Sequence, residues 1–345
     1  MSSVKMKSRV LIVGPIIIDQ KSSGGEGEKL YKALKQDGYS VLKVSGKRNK
    51  LIRLIHTLLV VFFFQFKYDK VVLMVFSGRA FFLELVVQFI SRIIRKPVIG
   101  IIHGGAFPNF YEENLKVASY FLRHCTIIAS PSKYIQNYFI KENFNIKYTP
   151  NFVDLNIFKT NLKSTNFKIL WVRAFENTYN PELIISAMPI VLKKFPRATL
   201  TMVGPDKGSM KSCLDLISDL GLKEEIELKG FIPNSELPKI YQEHDLFVNT
   251  TRYESFGVCL VEAAACGLPI VSVAVGEIPF VWTHNMNIKL TERDPTQFAD
   301  AICDLFSNRD LYLNTQKNAK QLIENYTWTE VSKIWSELLE AQCAE

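Results

Sequence analysis

The sequence has no Cys-x-x-Cys pair and no closely spaced histidines, so it lacks the usual signatures of a disulfide framework and of a metal site. Its six cysteines are scattered, and several lie inside apolar runs where a small buried thiol packs well. We therefore expect a reducing, cytoplasmic environment. The cysteines are Cys125, Cys213, Cys259, Cys266, Cys303 and Cys343, and the histidines are His56, His103, His124, His244 and His284.

The commonest nucleotide-binding signatures are also missing. The chain contains neither a Walker loop nor a G-x-G-x-x-G motif, which disfavours nucleotide hydrolysis and dinucleotide binding. It contains no Asp-x-Asp pair either. We therefore expect a site that uses no metal and a protein without a resident cofactor.

No apolar run is long enough to cross a bilayer, which takes about 20 residues. At the N-terminus, the run Val10–Val13 stops at Gly14-Pro15, so we expect no targeting segment. Leu51–Phe66 has basic residues on both sides and is predicted to be either a buried helix or a basic amphipathic helix at a membrane surface. Phe81–Ile94 is predicted to belong to the core.

Charged residues are few, at 22%, and their balance is basic, with a net charge of +8 and a pI near 9.0. Such a positive net charge is compatible with three kinds of binding partner: nucleic acid, anionic lipid or a phosphorylated small molecule. Because the basic residues crowd between Leu42 and Phe110, residues 47–70 are a candidate contact with an anionic membrane surface. Nucleic acid is not expected as a partner, since no recognised motif accompanies the charge.

Short β-rich apolar runs alternate with longer amphipathic segments along the whole chain. This alternation predicts βαβ units and parallel sheets, and it restarts after a polar, linker-like stretch at 159–166. We predict an α/β fold with two doubly wound Rossmann-like domains, residues 1–160 and 161–327, and a terminal helix, 328–345, that packs back across them. The predicted strands are Arg9–Val13, Lys70–Met74, Pro97–Ile102, Thr126–Ala129, Phe167–Val172, Thr199–Val203, Ile226–Lys229, Leu246–Asn249 and Ile270–Ser272.

A glycine-rich segment follows the first predicted strand. Ser22–Gly27 leads into a helix that is predicted to open near Glu28 and to end at Gly38. Gly24 and Gly25 would let backbone amides approach a phosphate at the positive end of this helix. A turn of this composition also occurs for purely steric reasons.

Two carboxylates, Glu254 and Glu262, bracket the start of another predicted helix, Gly257–Cys266. The free amides of residues 256–258 would point towards a ligand, which favours the diphosphate of a nucleotide. Glu262 lies in an apolar run where an ionised carboxylate needs a partner, and it would accept hydrogen bonds from vicinal hydroxyls such as those of a ribose. Glu254 would reach a different part of the same ligand.

These carboxylates open a longer pattern. Glu254-x7-Glu262 is followed by Ala-Ala-Ala-Cys-Gly-Leu-Pro-Ile-Val271 and Val275-Gly-Glu-Ile-Pro279, and the series closely resembles the signature of glycosyltransferase family 4, retaining enzymes of the GT-B fold. The similarity covers most of the chain and is strongest from Ile169 to Leu290. Further stretches match in the expected order, namely Gly24-Gly25, His103-Gly-Gly105, Ser130–Lys133, Pro150–Asp154, Val203-Gly-Pro205, Lys229-Gly-Phe231 and Asp245–Asn249.

The resemblance implies two domains that face each other across a cleft and a nucleotide-diphosphate sugar as donor. It implies that Glu262 binds the donor ribose, Glu254 the transferred sugar and Arg173 the pyrophosphate. It places His103 near the reacting sugar, so that Glu254, His103 and Arg173 are the expected catalytic residues. The other expected substrate-binding residues are Gly24, Gly25, Ser255, Phe256, Gly257 and Val258.

The resemblance thus implies a retaining, metal-independent glycosyltransferase acting on a glycan or lipid-linked acceptor in surface polysaccharide or glycolipid synthesis, in the cytoplasm or on the cytoplasmic face of a membrane. Two departures stand out. Tyr179 and Asn180 occupy the place of the family's second phosphate-binding cation, a lysine about six residues after the arginine, and Glu277 replaces the second glycine of a Gly-Gly pair. A sugar-nucleotide epimerase of the same fold and a catalytically degenerate nucleotide-sugar binder therefore stay open as alternatives.

Overall fold

A computed structural model describes residues 7–14, 18–19, 22–23, 25–44, 49–155, 157–158 and 166–341. Tertiary contacts divide the chain into two units, Phe152–Thr327 and the remainder, which joins the residues up to Asn151 with those from Trp328. The boundary thus falls before the predicted residue 160, because Val153 and Phe158 are buried in the core of the second unit. The predicted linker lies outside the described residues, apart from Asn166.

The first unit is a parallel α/β sheet with an additional short antiparallel ribbon. Its strands are β1 (Arg9–Val13), β2 (Ile18–Asp19), β3 (Ser22–Ser23), β4 (Ser40–Val44), β5 (Lys70–Val75), β6 (Val98–Ile102), β7 (Ile127–Ser130) and β8 (Ile146–Tyr148). Its helices before the boundary are α1 (Gly25–Gln36), α2 (Lys50–Phe63), α3 (Phe81–Ile93), α4 (Phe107–Glu113), α5 (Leu115–His124) and α6 (Lys133–Lys141). The sheet order is β4-β1-β5-β6-β7-β8.

The second unit repeats this architecture. Its strands are β9 (Lys168–Val172), β10 (Thr199–Val203), β11 (Ile226–Gly230), β12 (Leu246–Asn249), β13 (Ile270–Val273) and β14 (Lys289–Thr291), in the order β11-β10-β9-β12-β13-β14. Its helices are α7 (Glu182–Lys194), α8 (Met210–Asp219), α9 (Leu237–Gln242), α10 (Val258–Ala265), α11 (Ile278–Val281), α12 (Pro295–Ser307) and α13 (Arg309–Ile323). Central strands such as β12 are buried along their whole length, as expected when helices cover both faces of a parallel sheet.

The last helix, α14 (Trp328–Glu340), is grouped with the first unit. Its buried residues are Val331, Trp335, Leu338 and Leu339, which lie on one helical face. The Trp328 indole N–H donates to Asp37 Oδ2 at 3.1 Å, and Lys70 Nζ donates to the carbonyl of Ala341 at 2.8 Å. These bonds anchor both ends of the helix.

The two parallel six-stranded sheets confirm the predicted α/β fold class. Helices α2 and α3 differ from the sequence prediction. Phe81–Ile94 was predicted to be core, but α3 exposes Phe82, Val86, Phe89 and Ile93, since its inward positions are partly taken by polar residues. Helix α2 likewise exposes a stripe of apolar side chains and is not a buried helix. Among the described residues, no helix is both long and apolar enough to cross a membrane.

Candidate functional site

Two neighbouring strands at the middle of the second sheet end beside each other. Arg173 directly follows β9, and Asn249 is the last residue of β12. The Arg173 Nε and Nη2 atoms donate to Asn249 Oδ1 at 3.4 and 3.5 Å, and Nη2 also donates to Glu254 Oε2. The carboxyl ends of parallel strands are where α/β sheets bind ligands. Arg173 and Glu254, both expected as site residues from the sequence, lie together at this edge of the sheet, and their roles stay predictions.

The Arg173 side chain is held on several sides. Asn249 Nδ2 donates to Ser272 Oγ at 3.0 Å, which leaves the Asn249 carbonyl oxygen facing the guanidinium. The Tyr179 ring centroid lies 5.2 Å from Arg173 Cζ, a cation–π distance. A Cβ at Gly204 would lie 1.7 Å from the Arg173 carbonyl oxygen, so only glycine fits there. The guanidinium is thus prepositioned, a requirement for electrostatic catalysis.

Glu254 lies in a tight loop before α10. Its Oε1 atom accepts from the amide of Ser255 at 3.2 Å and from that of Phe256 at 3.5 Å. The amide of Glu277 donates to the Glu254 carbonyl at 3.0 Å, and a Cβ at Gly276 would lie 2.1 Å from that carbonyl oxygen. The Phe256 amide was predicted to be free; it is used instead to hold the carboxylate beside Arg173.

The N-terminus of α10 adjoins this carboxylate. Gly257 is the N-cap residue with φ at 84°, a left-handed conformation that favours glycine, and a Cβ there would lie 3.6 Å from Glu254 Cγ. Its carbonyl accepts from the amides of Leu260 and Val261. The first amides of a helix have no acceptor within it. The helix start at Val258 therefore offers anion-binding amides next to the Arg173–Glu254 pair.

Glu262 is one turn into α10 and 8% exposed. The buried Tyr241 hydroxyl donates to Glu262 Oε2 at 3.2 Å. Burial, and then the charge of Glu262, raise the pKa of Tyr241 well above its usual range, so the hydroxyl stays protonated and donates. Tyr241 had no signal in the sequence beyond its apolar neighbours.

Cys259 is also buried near Arg173 and Glu254. Burial raises the pKa of its thiol to about 12, despite the opposing effect of Arg173. A protonated thiol is a poor nucleophile. Cys259 therefore serves as a small core residue of α10.

A second arginine was missed by the sequence reasoning. Arg252 Nη2 donates to Asn180 Oδ1 at 2.8 Å, and its Nε donates to the carbonyl of Asn177 at 3.0 Å. Its amide donates to the carbonyl of Thr178 at 2.8 Å. The guanidinium thus lies at the short turn where the family's lysine is missing, while Tyr179 of the same turn stacks on Arg173. The only available signal was that Arg252 is two residues before Glu254.

The predicted residues of the first unit lie at the ends of its own strands and helices. His103 follows β6, where its ring stacks on Phe76 at 5.5 Å and its Nε2 lies 3.0 Å from Met74 Sδ. Burial lowers the pKa of His103 to about 4, so the ring is neutral at pH 7. Such a ring can hydrogen-bond to a hydroxyl without carrying charge.

Gly25 opens α1 with φ at 60°, three residues earlier than the predicted helix start, and Gly24 lies outside the described residues. The first turn of α1 carries two acidic residues, Glu26 and Glu28. Both carboxylates are paired with lysines, Glu26 Oε1 with Lys29 Nζ at 3.0 Å and Glu28 Oε2 with Lys43 Nζ at 2.6 Å. The phosphate contact of Gly25 stays a prediction.

In the part of the chain that the structure describes, no group of three or more His, Cys, Asp or Glu residues is arranged to hold a metal ion.

The chain resembles known glycosyltransferases over about half of its length. Residues 153–322 match the model of the family described as glycosyl transferases group 1. The chain is 31% identical over 170 residues to an uncharacterized glycosyltransferase of Methanocaldococcus jannaschii, which covers 48% of this chain and 42% of that protein. It is 27% identical over 173 residues to the D-inositol 3-phosphate glycosyltransferase of Corynebacterium efficiens. This match covers 47% of this chain and 41% of that protein. The chain thus spans less than half the length of these curated relatives.

Solved structures resemble the whole chain. The Anabaena protein HepE, crystallised with UDP and glucose, superposes with a TM-score of 0.79 at 20% identity over 97% of this chain and 100% of that one. Sucrose-phosphate synthase from Thermosynechococcus elongatus superposes with a TM-score of 0.79 at 15% identity. The superposition covers 96% of this chain and 98% of that one. At such identities the likeness establishes the fold, which is GT-B.

Proposed function

We propose that this protein is a retaining glycosyltransferase, related to family 4, that transfers a sugar from a nucleotide-diphosphate sugar to a hydroxyl of a glycan or lipid-linked acceptor. The observation that carries the proposal is the buried Arg173–Glu254 pair beside the N-terminus of α10. The match of residues 153–322 to the glycosyl transferases group 1 family supports the reaction type.

Arg173 and the first amides of α10 bind the diphosphate. Among the described residues, no hydrogen bond reaches Arg173 Nη1, so the guanidinium keeps one nitrogen for a phosphate oxygen. The Arg173 side chain is 15% exposed, and a charge pair is stronger there than in water. Negative charge that develops on the leaving diphosphate is therefore stabilised by groups already in place.

Glu254 and Glu262 bind the two sugars of the donor. Glu262, oriented by the Tyr241 hydroxyl, accepts hydrogen bonds from the ribose hydroxyls. Glu254 exchanges part of its contact with Arg173 for hydroxyls of the transferred sugar when the diphosphate takes the guanidinium. Arg252, at the turn of residues 177–180, supplies the second cation that the missing lysine would provide.

The reaction breaks the bond between the anomeric carbon and the diphosphate oxygen, which keeps the electron pair. The acceptor hydroxyl forms the new bond from the same face, and its proton passes to the departing oxygen. Neutral His103, through its ring nitrogens, orients a sugar or acceptor hydroxyl. No protein nucleophile and no metal ion enters this scheme.

The test begins with a thermal-shift screen of UDP-, GDP-, ADP- and dTDP-sugars, followed by a hydrolysis and transfer assay with the sugar that binds. Arg173→Ala and Glu254→Gln are expected to lower turnover about 100-fold or more. Exposed residues of the same unit provide matched controls, Arg197→Ala and Glu236→Gln, which should keep full turnover.

Three outcomes would contradict the proposal. Full turnover by a folded Arg173→Ala variant would show that Arg173 does not stabilise the diphosphate. Donor binding without hydrolysis or transfer would favour a degenerate binder. Conversion of the donor to an epimer in the absence of acceptor would favour an epimerase.

A further inference from the structure

Exposed apolar side chains are concentrated on two helices of the first unit and the turn after α2. Of the 22 large hydrophobic residues that are exposed in the described chain, eleven fall between residues 52 and 93. We call them the α2–α3 apolar face. They are Ile52, Ile55, Leu59, Phe62, Phe63, Phe64, Phe66, Phe82, Val86, Phe89 and Ile93, with exposures from 39% to 80%.

The spacing of these residues is helical. On α2 they recur every three or four residues from Ile52 to Phe62, and on α3 they do so from Phe82 to Ile93. Each helix therefore carries an outward apolar stripe, and the two helices pack against each other. A water-soluble protein seldom exposes so large a set of apolar side chains in one region without a partner.

The inward sides of the same helices hold polar groups. Thr57, Glu84, Gln88 and Ser91 are at most 4% exposed. Among the described residues, the Thr57 hydroxyl and both polar atoms of the Gln88 amide form no hydrogen bond. The inward sides also bury Val61, Phe81 and Val87, so they mix polar with apolar residues, whereas the exposed stripes are apolar. Apolar outward stripes suit helices whose outer side meets a medium less polar than water.

The region is also strongly basic. Residues 47–96 contain ten Lys and Arg residues and two acidic residues. Lys67, Arg92 and Arg95 are exposed, and Lys67 Nζ lies 4.8 Å from the ring centroid of Phe64. Long basic side chains of this kind extend along apolar surface and reach lipid phosphates. A second copy of the chain would bring like charges together, which disfavours self-association through this face.

We propose that the α2–α3 apolar face binds an anionic lipid bilayer, with its aromatic and aliphatic side chains in the acyl boundary and its Lys and Arg side chains on the headgroups. Helix α2 has 14 residues, about 21 Å, which is shorter than the roughly 30 Å hydrocarbon core. The helices therefore lie in the plane of the interface. The face belongs wholly to the first unit, so the inference does not depend on the donor site of the second.

Flotation of the full chain with vesicles tests this surface. Vesicles of phosphatidylcholine alone should bind the protein weakly, and those that also contain phosphatidylglycerol should bind it strongly, with binding that falls as salt rises. The triple variant Phe63→Ser, Phe66→Ser, Phe89→Ser is expected to lose at least about ten-fold in partitioning per residue. Its control is Leu115→Ser, Ile140→Ser, Leu214→Ser, which changes apolar residues of similar exposure elsewhere.

A charge series separates insertion from adsorption. Lys67→Glu, Arg92→Glu, Arg95→Glu should lower partitioning at least about five-fold per residue. Lys116→Glu, Lys141→Glu, Lys147→Glu makes the same charge change at exposed positions of the same unit and should have a much smaller effect. The oligomeric state is measured by light scattering for every variant.

Loss of binding in the serine and glutamate variants, but not in the controls, supports the proposal. No flotation of the wild-type chain with anionic vesicles at low salt would overturn it. Equal losses in both glutamate sets, with full binding by the serine variant, would show non-specific adsorption and also overturn it. A wild-type dimer that the serine variant dissociates, without vesicle binding, would assign the face to a second copy.

Discussion

The Arg173–Glu254 pair allows stability and activity to be separated in one set of variants. The two side chains are 15% and 10% exposed. Removing one partner of a buried pair costs about 3–5 kcal/mol, because the remaining charge loses its counterion. Arg173→Ala should therefore destabilise the second unit by about that amount, which is a fall in Tm of roughly 10 °C for a domain of this size.

The double variant Arg173→Ala, Glu254→Gln removes both charges and should recover most of the lost stability. It should not recover activity, since the diphosphate has lost its guanidinium in both variants. Calorimetry without donor measures the stability of each variant, and donor turnover measures its activity. A double variant as unstable as Arg173→Ala would refute the claim that an uncompensated Glu254 carboxylate causes the loss. Turnover restored together with stability would refute the role of Arg173 at the diphosphate.

Three further predictions concern single residues. Because His103 has a pKa of about 4 when folded and 6.5 when unfolded, stability should fall as pH drops from 6.5 towards 4, and this dependence should shrink in His103→Gln but not in His124→Gln. Burial raises the pKa of Glu84 to about 8, against the weaker opposing effect of Arg53. The contribution of Glu84 to stability should therefore be complete below pH 4.5 and be lost as pH rises towards 8. Thermal melts of Glu84→Gln across this pH range should lack the loss of stability. Gly276→Ala should displace the Glu254 carbonyl and lower both the free energy of unfolding and turnover, whereas Gly221→Ala, which has a similar positive φ in open space, should lower only the free energy of unfolding, by about 1 kcal/mol.

The central strands could be predicted from the sequence, but several edge strands could not. Strands such as β12 are buried on both faces and appear as continuous apolar runs. The strands β4, β8 and β14 lie at sheet edges and are only partly buried, so Ser40–Val44, Ile146–Tyr148 and Lys289–Thr291 lack such a run. These three segments become strands because they pair with a neighbouring strand, and a local sequence pattern does not encode that pairing.

Helix α3 shows a different reason for failure. Phe81–Ile94 is apolar enough to be read as core, and hydrophobicity alone does not say which side of a helix faces the protein. The structure turns Glu84, Gln88 and Ser91 inwards and Phe82 and Phe89 outwards. The orientation follows from the packing of α3 on α2 and on β5, tertiary contacts that the pattern of one segment does not encode.

Arg252 shows how a missing residue can be replaced from outside its own motif. A search for the second cation after Arg173 ends at Tyr179 and Asn180, because sequence motifs are read along one segment. In the fold, β9 and β12 are adjacent, so the loop after β12 meets the turn after β9 and brings the Arg252 guanidinium to Asn180. Asn180 adopts a left-handed conformation with φ at 48°, which asparagine tolerates better than most residues, so it suits the turn that receives the arginine. If Arg252 binds phosphate, Arg252→Ala should weaken donor binding more than Arg197→Ala. Adding Tyr179→Lys, six residues after Arg173, to the Arg252→Ala variant should restore part of the loss.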